Sequence, residues 1–337
     1  MCKQWSALLV IGVLITSVGA DAKPKKRVAK QSATRNRVAE PPRFDAAAVN
    51  DPALTPANVS AATLKAQILL DRANFSPGEI DGRSGANFNR ALSGFQEARK
   101  LPVSGKLDEA TWAALNADAT PAVTPYRITE TDVAGPFVEE IPKDLVEQGK
   151  LKALGYKNAL EALGEQFHVS PGLLTRMNPG AKFAAGEEIQ VPNVMATALT
   201  AKAAKVVVSK AGWVRALDAS GTILAQYPAS SGSEHDPLPI GEWKIKGVAK
   251  NPPFHYNPEL FWDADPSHGK AKIAPGPNNP VGVVWIDLSK EHYGIHGTPE
   301  PGNVGHTQSH GCIRLTNWDA MELAGMVGPN TPASLTE

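Results

Sequence analysis

Residues 293–317 read YGIHGTPEPGNVGHTQSHGCIRLTN, and this segment is the most informative in the chain. A short apolar strand ends at His296, and a second apolar stretch begins at Cys312. The loop of residues 297–309 contains two prolines and three glycines, which favour a reversal of the chain. This pattern predicts that the two strand ends meet, with the imidazole of His296 close to the thiol of Cys312.

A thiol nucleophile needs a base or an imidazolium nearby, because the thiolate is its reactive form. His296 can serve as that base. Gly311 allows the backbone to approach an acyl group closely, and the N–H groups of Gly311 and Cys312 are candidate donors to an oxyanion. If the segment is a strand, Arg314 shares a face with Cys312 and either depresses the pKa of the thiol or binds a substrate carboxylate. These residues predict a cysteine acyltransferase.

The chain has two cysteines, Cys2 and Cys312. Residues 5–20 are apolar and end in the small residues Val18-Gly19-Ala20, which predicts a signal peptide over residues 1–20. Cleavage would leave Cys312 as the sole thiol of an exported protein, and a leftover thiol there is a candidate reactive group. An uncleaved signal acting as a membrane tether is the alternative. The expected location is the periplasm or cell envelope.

Length and charge limit the classes of protein to consider. The 337 residues suffice for two or three domains. The 34 basic and 34 acidic residues balance, which gives no electrostatic argument for binding nucleic acid. Residues 23–43 contain eight Lys or Arg, so we interpret residues 21–58 as a basic, Pro/Ala-rich linker. The linker is either a solvated tail or an arm that contacts an anionic envelope polymer or membrane surface.

Residues 59–118 predict a small module of three helices with tight loops, in which Asp108 caps the third helix. The sequence here resembles the peptidoglycan-binding domain type 1 family. The likeness rests on the Pro77-Gly78-x-Ile80-Asp81-Gly82 loop, Phe95-Gln96, Leu101-Pro102-Val103-Ser104-Gly105 and Leu107-Asp108-x-x-Thr111-Trp112.

Residues 119–200 predict two helices, at about 158–167 and from Ser170 to Met177, followed by a short strand at 186–192. This segment resembles a degenerate LysM module, which is a glycan-binding α+β fold. The likeness rests on Phe167-x-Val169-Ser170, Leu174, Asn178-Pro179 and Gly186-x-x-Ile189-x-Val191-Pro192. A structural spacer is an equal alternative.

Residues 203–330 predict a mainly-β domain, because short apolar strands alternate with Gly/Pro turns. A β-sandwich or open barrel is expected, with a closing helix from Trp318 to Val327 capped by Asn317. His296-Gly297-Thr298 followed by Ser309-His310-Gly311-Cys312-Ile313-Arg314 resembles the catalytic motif of the L,D-transpeptidase (YkuD) family. The whole chain is therefore interpreted as multidomain.

The resemblance implies that Cys312 forms a thioester with a tetrapeptide stem of peptidoglycan and that a second stem resolves it into a 3→3 cross-link. His296 would be the base, oriented by the carbonyl of Gly297, while His310 would shape the site. The remaining assignments of the resemblance are the backbone of Gly311 at the nucleophile and four substrate contacts, Arg314, Tyr293, Tyr256 and Ser309. For Tyr256, packing in its loop is the alternative. Neither a cofactor nor a nucleic-acid partner is implied.

Three alternatives remain at this point. His292, His296, His306, His310 and Cys312 could supply ligands for zinc, although no carboxylate lies at a recognisable spacing, so we expect no metal. A non-catalytic peptidoglycan-binding protein is the alternative from another class. If the catalyst is retained, water as acceptor would make an L,D-carboxypeptidase, and a protein amine would make an enzyme that attaches proteins to the wall.

Overall fold

The computed structural model describes residues 45–194 and 201–337. The predicted signal peptide, Cys2 and the linker up to residue 44 lie outside these residues. Among the described residues, no helix combines the length and apolar character needed to cross a membrane. The linker was expected to extend to residue 58, and the structure describes a short helix, Ala46–Asn50, within this range. Val49 of this helix is buried, and the side-chain amide of Asn50 bonds the backbone of Ala122 and Val123.

The helices of the described residues are α1 (Ala46–Asn50), α2 (Val59–Arg72), α3 (Ala86–Ala98), α4 (Glu109–Leu115), α5 (Leu145–Gln148), α6 (Ala159–Gln166), α7 (Pro171–Met177) and α8 (Asn317–Met326). The strands are β1 (Val123–Arg127), β2 (Glu188–Pro192), β3 (Lys205–Ser209), β4 (Trp213–Leu217), β5 (Ile223–Pro228), β6 (Ser230–Ser231), β7 (Gly241–Lys250), β8 (Phe254–Tyr256), β9 (Ala271–Ile273), β10 (Val284–Leu288), β11 (Gly294–His296), β12 (Ile313–Arg314) and β13 (Pro332–Thr336).

Helices α2, α3 and α4 form the helical module that the sequence predicts. Their apolar faces share a core that includes Leu69, Phe88 and Phe95. The carboxylate of Asp108 accepts the N–H of Thr111 at 2.9 Å, so the predicted cap of the third helix is confirmed. This hydrogen bond satisfies one of the free N–H groups at the start of α4.

The middle segment contains both predicted helices, as α6 and α7, and the predicted strand, as β2. β2 pairs with β1, an antiparallel partner that the sequence analysis did not identify. The core of this segment is shared with the helical module, because Leu64 and Ile68 of α2 cluster with Leu163 and Leu174. The two segments therefore stabilise each other. The LysM-like interpretation stays a prediction.

The mainly-β domain contains a nine-stranded sheet in the order β5-β4-β3-β13-β7-β10-β11-β12-β6. The first half of the long strand β7 pairs with β13 and its second half with β10, so β7 joins two halves of the sheet. Side chains of both halves, such as Val208 and Ile286, enter one core together with Leu323 of α8. The expected barrel-like, mainly-β class is confirmed. β13 lies beyond the predicted closing helix, inside the sheet.

The loop of residues 74–80 joins the three modules. Its residue Phe75 forms a parallel bridge with Gln226 on the edge strand β5, and Ile80 forms another with Val169 of the middle segment. The hydroxyl of Ser76 also donates to the buried carboxyl of Asp319 on α8 at 3.1 Å. The loop thus covers an exposed sheet edge, which is otherwise prone to pair with other chains. The loop contains the start of the Pro-Gly-x-Ile-Asp-Gly motif, so this part of the motif makes contacts within the protein.

Gly94 offers a test of the joint between α3 and β5. A Cβ at Gly94 would overlap the buried side chain of Gln226, which bonds the carbonyl of Arg90 and the Nε of Arg215, each at 2.7 Å. We expect Gly94→Ala to lower the free energy of unfolding by about 1–3 kcal/mol, because Gln226 must leave these partners. Urea titration monitored by circular dichroism measures the change.

Gly325 is the matched control, because it is also helical but has open space around its Cβ position. Gly325→Ala should raise the free energy of unfolding by up to about 1 kcal/mol, through the ordinary helix preference of alanine. Equal effects of the two substitutions would contradict the close contact at Gly94.

Candidate active site

Backbone pairing places the sequence-predicted nucleophile and base beside each other. β11 and β12 are parallel neighbours, with Ile295 opposite Ile313 and His296 opposite Arg314. Both isoleucines are fully buried in the core of the sheet. Side chains alternate between faces of a strand, so His296, Arg314 and the preceding Cys312 lie on the other face.

The ring of His296 has a fixed position and a defined tautomer. Its Nδ1 lies 2.6 Å from the carbonyl oxygen of Gly297, and its ring stacks on Trp285 with 5.5 Å between centroids. A carbonyl only accepts, so Nδ1 carries the proton and Nε2 keeps its lone pair. Burial lowers the pKa of His296 to about 4, and the charge of Arg314 acts in the same direction. The imidazole is therefore neutral at physiological pH.

The thiol of Cys312 is partly exposed, and Sγ donates to the carbonyl of His292 at 3.6 Å. Burial raises the pKa of Cys312, whereas a hydrogen bond from the backbone of Gly294 and the charge of Arg314 lower it. Arg314 thus has the expected sign, but desolvation outweighs it. Arg314 was expected either to depress the pKa of the thiol or to bind a substrate carboxylate, and the structure favours a neutral thiol in the free protein.

The segment before Cys312 is shaped by Ser309 and Gly311. The buried hydroxyl of Ser309 accepts the N–H of Gly232 at 2.8 Å and donates to the carbonyl of Cys312 at 2.6 Å. These hydrogen bonds hold the segment before Cys312 in place, and the predicted substrate contact of Ser309 stays a prediction. Gly311 has φ +92°, and a Cβ there would lie 2.8 Å from the ring of Tyr293. Glycine is required at this position, and Tyr293 packs directly beside the nucleophile.

His310 points toward the loop of residues 257–270 (hereafter the cover loop). Its Nε2 lies 2.8 Å from the carboxylate of Asp263, and its ring contacts Phe261 and Trp262 with 5.2 Å and 6.0 Å between centroids. These contacts join the nucleophile segment to the cover loop. They agree with a residue that shapes the site.

Tyr256 lies in a small core beneath the cover loop. It is buried with Leu154 and Ile273, and its hydroxyl pairs with Nδ1 of His268 at 3.1 Å. His268 in turn contacts Asp144 at 2.9 Å. The structure thus favours the packing role over the substrate contact, because the polar end of Tyr256 already has a partner inside the protein.

The histidines that could have formed a zinc site have different partners. His292 faces Glu291 at 3.5 Å, and His306 approaches the amide of Asn87 at 3.5 Å. Within residues 45–194 and 201–337, no group of three or more His, Cys, Asp or Glu side chains is arranged to hold a metal ion.

The sequence did not identify two residues that contact His296 or the adjacent Gly297. Trp285 lies opposite His296 in the β10–β11 pair, so only the register identifies it. Asn317 was expected to cap α8, and this is wrong, because the cap is Thr316, whose hydroxyl accepts the N–H of Asp319 at 3.1 Å. A Cβ on Gly297 would overlap Oδ1 of Asn317. Asn317 thus packs against the residue that orients the base.

Comparison with known proteins finds two matching family models and several named relatives. Residues 203–335 match the family model described as "L,D-transpeptidase catalytic domain", and residues 60–115 match "Putative peptidoglycan binding domain". The chain is 29% identical over 180 residues to "Putative L,D-transpeptidase YkuD" of Bacillus licheniformis, covering 52% of this chain and 93% of the relative. The protein of the same name from Bacillus subtilis is 28% identical, with coverage of 53% and 93%.

Solved structures that align with part of the chain include L,D-transpeptidase 3 from Mycobacterium tuberculosis, with 16% identity and a TM-score of 0.33. The match covers 39% of this chain and 60% of the mycobacterial one. An L,D-transpeptidase from Mycobacterium smegmatis gives 22% identity and a TM-score of 0.31, with coverage of 39% and 58%. On the two family models and the curated relatives, the chain carries an L,D-transpeptidase catalytic domain of the YkuD family preceded by a peptidoglycan-binding domain.

Proposed function

We propose that the protein is a peptidoglycan L,D-transpeptidase that forms 3→3 cross-links through a thioester at Cys312. The observation that carries this proposal is the parallel pairing of β11 and β12, which puts His296, Cys312 and Arg314 on one face of the sheet. The peptidoglycan-binding domain supports the same substrate independently of that site.

In the first half-reaction, Sγ of Cys312 attacks the carbonyl carbon of an L-centred residue joined to a terminal D-amino acid. Nε2 of His296 takes the thiol proton as the C–S bond forms, because Nδ1 is committed to Gly297. The backbone N–H groups of Gly311 and Cys312 are the proposed donors to the oxyanion. The C–N bond then breaks, and His296 returns the proton to the leaving amine.

In the second half-reaction, an amine of another stem attacks the thioester. His296 takes a proton from that amine and gives it back to the sulfur, so the enzyme is regenerated and one peptide bond replaces another. We assign substrate contacts to Arg314 and Tyr293. Arg314 offers a partly buried cation beside Cys312, and Tyr293 packs against Gly311.

We further propose that the protein acts in the cell envelope or periplasm, where its polymer substrate is found. The helical module would hold the enzyme on the wall. The middle segment, with two helices and the β1–β2 pair, would add glycan contacts if the LysM-like interpretation is right.

Incubation of the protein with tetrapeptide-bearing muropeptides tests the reaction. We expect loss of the terminal D-amino acid and formation of 3→3 dimers, detected by mass spectrometry. Cys312→Ala should reduce turnover by about 1000-fold or more, since the covalent route is lost.

The products also separate the acceptors. Loss of the D-residue without dimers would favour the carboxypeptidase, and attachment to a protein amine would favour the protein-anchoring enzyme. Unchanged tetrapeptides with folded protein would contradict the catalytic proposal. Binding of insoluble peptidoglycan without turnover would indicate a non-catalytic wall-binding protein.

The pH dependence follows from the two altered pKa values. Protonation of His296 abolishes its function as a base, and its pKa is lowered to about 4, so kcat/KM should fall only near pH 4 rather than near 6.5. Because burial raises the pKa of Cys312, alkylation of the free protein by iodoacetamide should still be rising at pH 9.

The rate constant of alkylation, measured between pH 5 and 10, provides the test, and Cys312→Ala serves as the blank. An alkylation midpoint below pH 8 would contradict the neutral thiol–imidazole state and indicate a preformed thiolate. Arg314→Met should shift the midpoint to higher pH, because it removes a nearby positive charge.

A further inference from the structure

The direction of the His296 ring depends on the peptide unit of Gly297. The hydrogen bond from Nδ1 to the Gly297 carbonyl is 2.6 Å long and sets which way Nε2 points. A base must lie within hydrogen-bond reach of the proton that it takes. A displacement of about 1 Å is enough to slow a reaction about 100-fold. Whatever holds Gly297 therefore matters for catalysis.

Gly297 is held by the side chain of Asn317. Oδ1 of Asn317 accepts the N–H of Val283 at 3.2 Å and fills the space that a Cβ on Gly297 or Gly282 would need. The side-chain amide is thus wedged between two segments of backbone, one of which carries the carbonyl that orients His296. Its rotation would disturb both segments.

The other end of this amide is bound partly outside the catalytic domain. Nδ2 of Asn317 donates to the carbonyl of Pro277 at 3.1 Å and to Oε1 of Glu165 at 2.8 Å. Glu165 lies on α6 of the middle segment, and the hydroxyl of Tyr156 also bonds its carboxyl group. Burial raises the pKa of Glu165 to about 7, and either protonation state leaves an oxygen that can accept from Asn317.

We propose that Glu165 is a positioning residue for His296 that acts through Asn317 and Gly297. The two ends of an amide have nearly the same shape but opposite hydrogen-bonding character. Glu165 is an acceptor, so it favours the orientation with Nδ2 toward α6 and Oδ1 toward Val283. Without it, only the carbonyl of Pro277 would accept from Nδ2, and a flip of the amide would point a donor at the N–H of Val283 and loosen Gly297. This inference rests on the proposed role of His296 as the base.

The middle segment would then be part of the catalytic apparatus as well as a spacer or wall-binding module. The alternative is that Glu165 merely joins two modules. A joint contributes to stability, whereas a positioning residue changes the chemical step. The two roles therefore predict different kcat values for a Glu165 variant that remains folded.

The sharpest test compares Glu165→Met with Glu165→Gln, which have similar size but differ in the acceptor. We expect Glu165→Met to lower kcat for D-amino acid release about 10- to 100-fold with KM changed by less than about twofold. Alkylation of Cys312 at pH 7 should slow about 3- to 10-fold, because a displaced His296 would be less able to accept the proton of the thiol. Glu165→Gln should restore most of both activities.

Two controls separate positioning from stability. Gln166→Ala changes the exposed neighbour of Glu165 on α6 and should leave kcat and alkylation unchanged. Gly94→Ala loosens a different joint between modules and should lower the unfolding midpoint without the loss in kcat. If Glu165→Met fails to fold, Tyr156→Phe removes the other hydrogen bond to the carboxyl group and should give a smaller loss of the same kind.

The inference is overturned if Glu165→Met retains kcat and alkylation within about twofold of the unmodified protein, or if Gly94→Ala loses as much activity at the same loss of stability. Absence of turnover by the unmodified protein would instead refute the proposed function. The alkylation rates of the Glu165 pair still decide the positioning role in that case, because they need no peptidoglycan substrate.

Discussion

The parallel pairing of β11 with β12 is the constraint on which the site depends. It joins two short strands separated by a loop rich in glycine and proline, and it sets His296 opposite Arg314. Because Ile295 and Ile313 are buried in the core on the opposite face, a one-residue slip of either strand would take its isoleucine out of the core and put a polar side chain in its place. The hydrophobic core thus enforces the register, and the register brings base, cation and nucleophile to one face.

Burial shifts the pKa values of His296 and Cys312 in opposite directions, and both shifts favour the neutral form. It lowers the pKa of His296 and raises that of Cys312, so both groups are neutral in the free protein. In the proposed mechanism, the Gly297 carbonyl and the Gly294 N–H act as fixed dipoles next to the base and the thiol. Such preorganised dipoles favour charge that develops during the reaction without reorganisation at that moment.

The modules before the catalytic domain are integrated with it. The loop of residues 74–80 pairs with the sheet edge on one side and with the middle segment on the other. The helical module also reaches the loop between His296 and Cys312, where the amide of Asn87 donates to the carbonyl of Val304 at 2.8 Å. Wall-binding and catalytic elements therefore meet within one compact unit, which would hold the cleft in a set orientation on the polymer.

The chain alone was sufficient to predict the mainly-β class and helices α2, α3, α4, α6 and α7, and to propose Cys312 as the nucleophile and His296 as the base, because these depend on local periodicity, capping and a contiguous motif. It did not reveal β13 inside the sheet or the stacking of Trp285 on His296, and it misassigned Asn317 as a cap. These features depend on contacts between residues far apart in the chain, such as the 152 positions between Glu165 and Asn317. Strand register and burial decide such contacts, and they arise only when the separate segments pack around a common core.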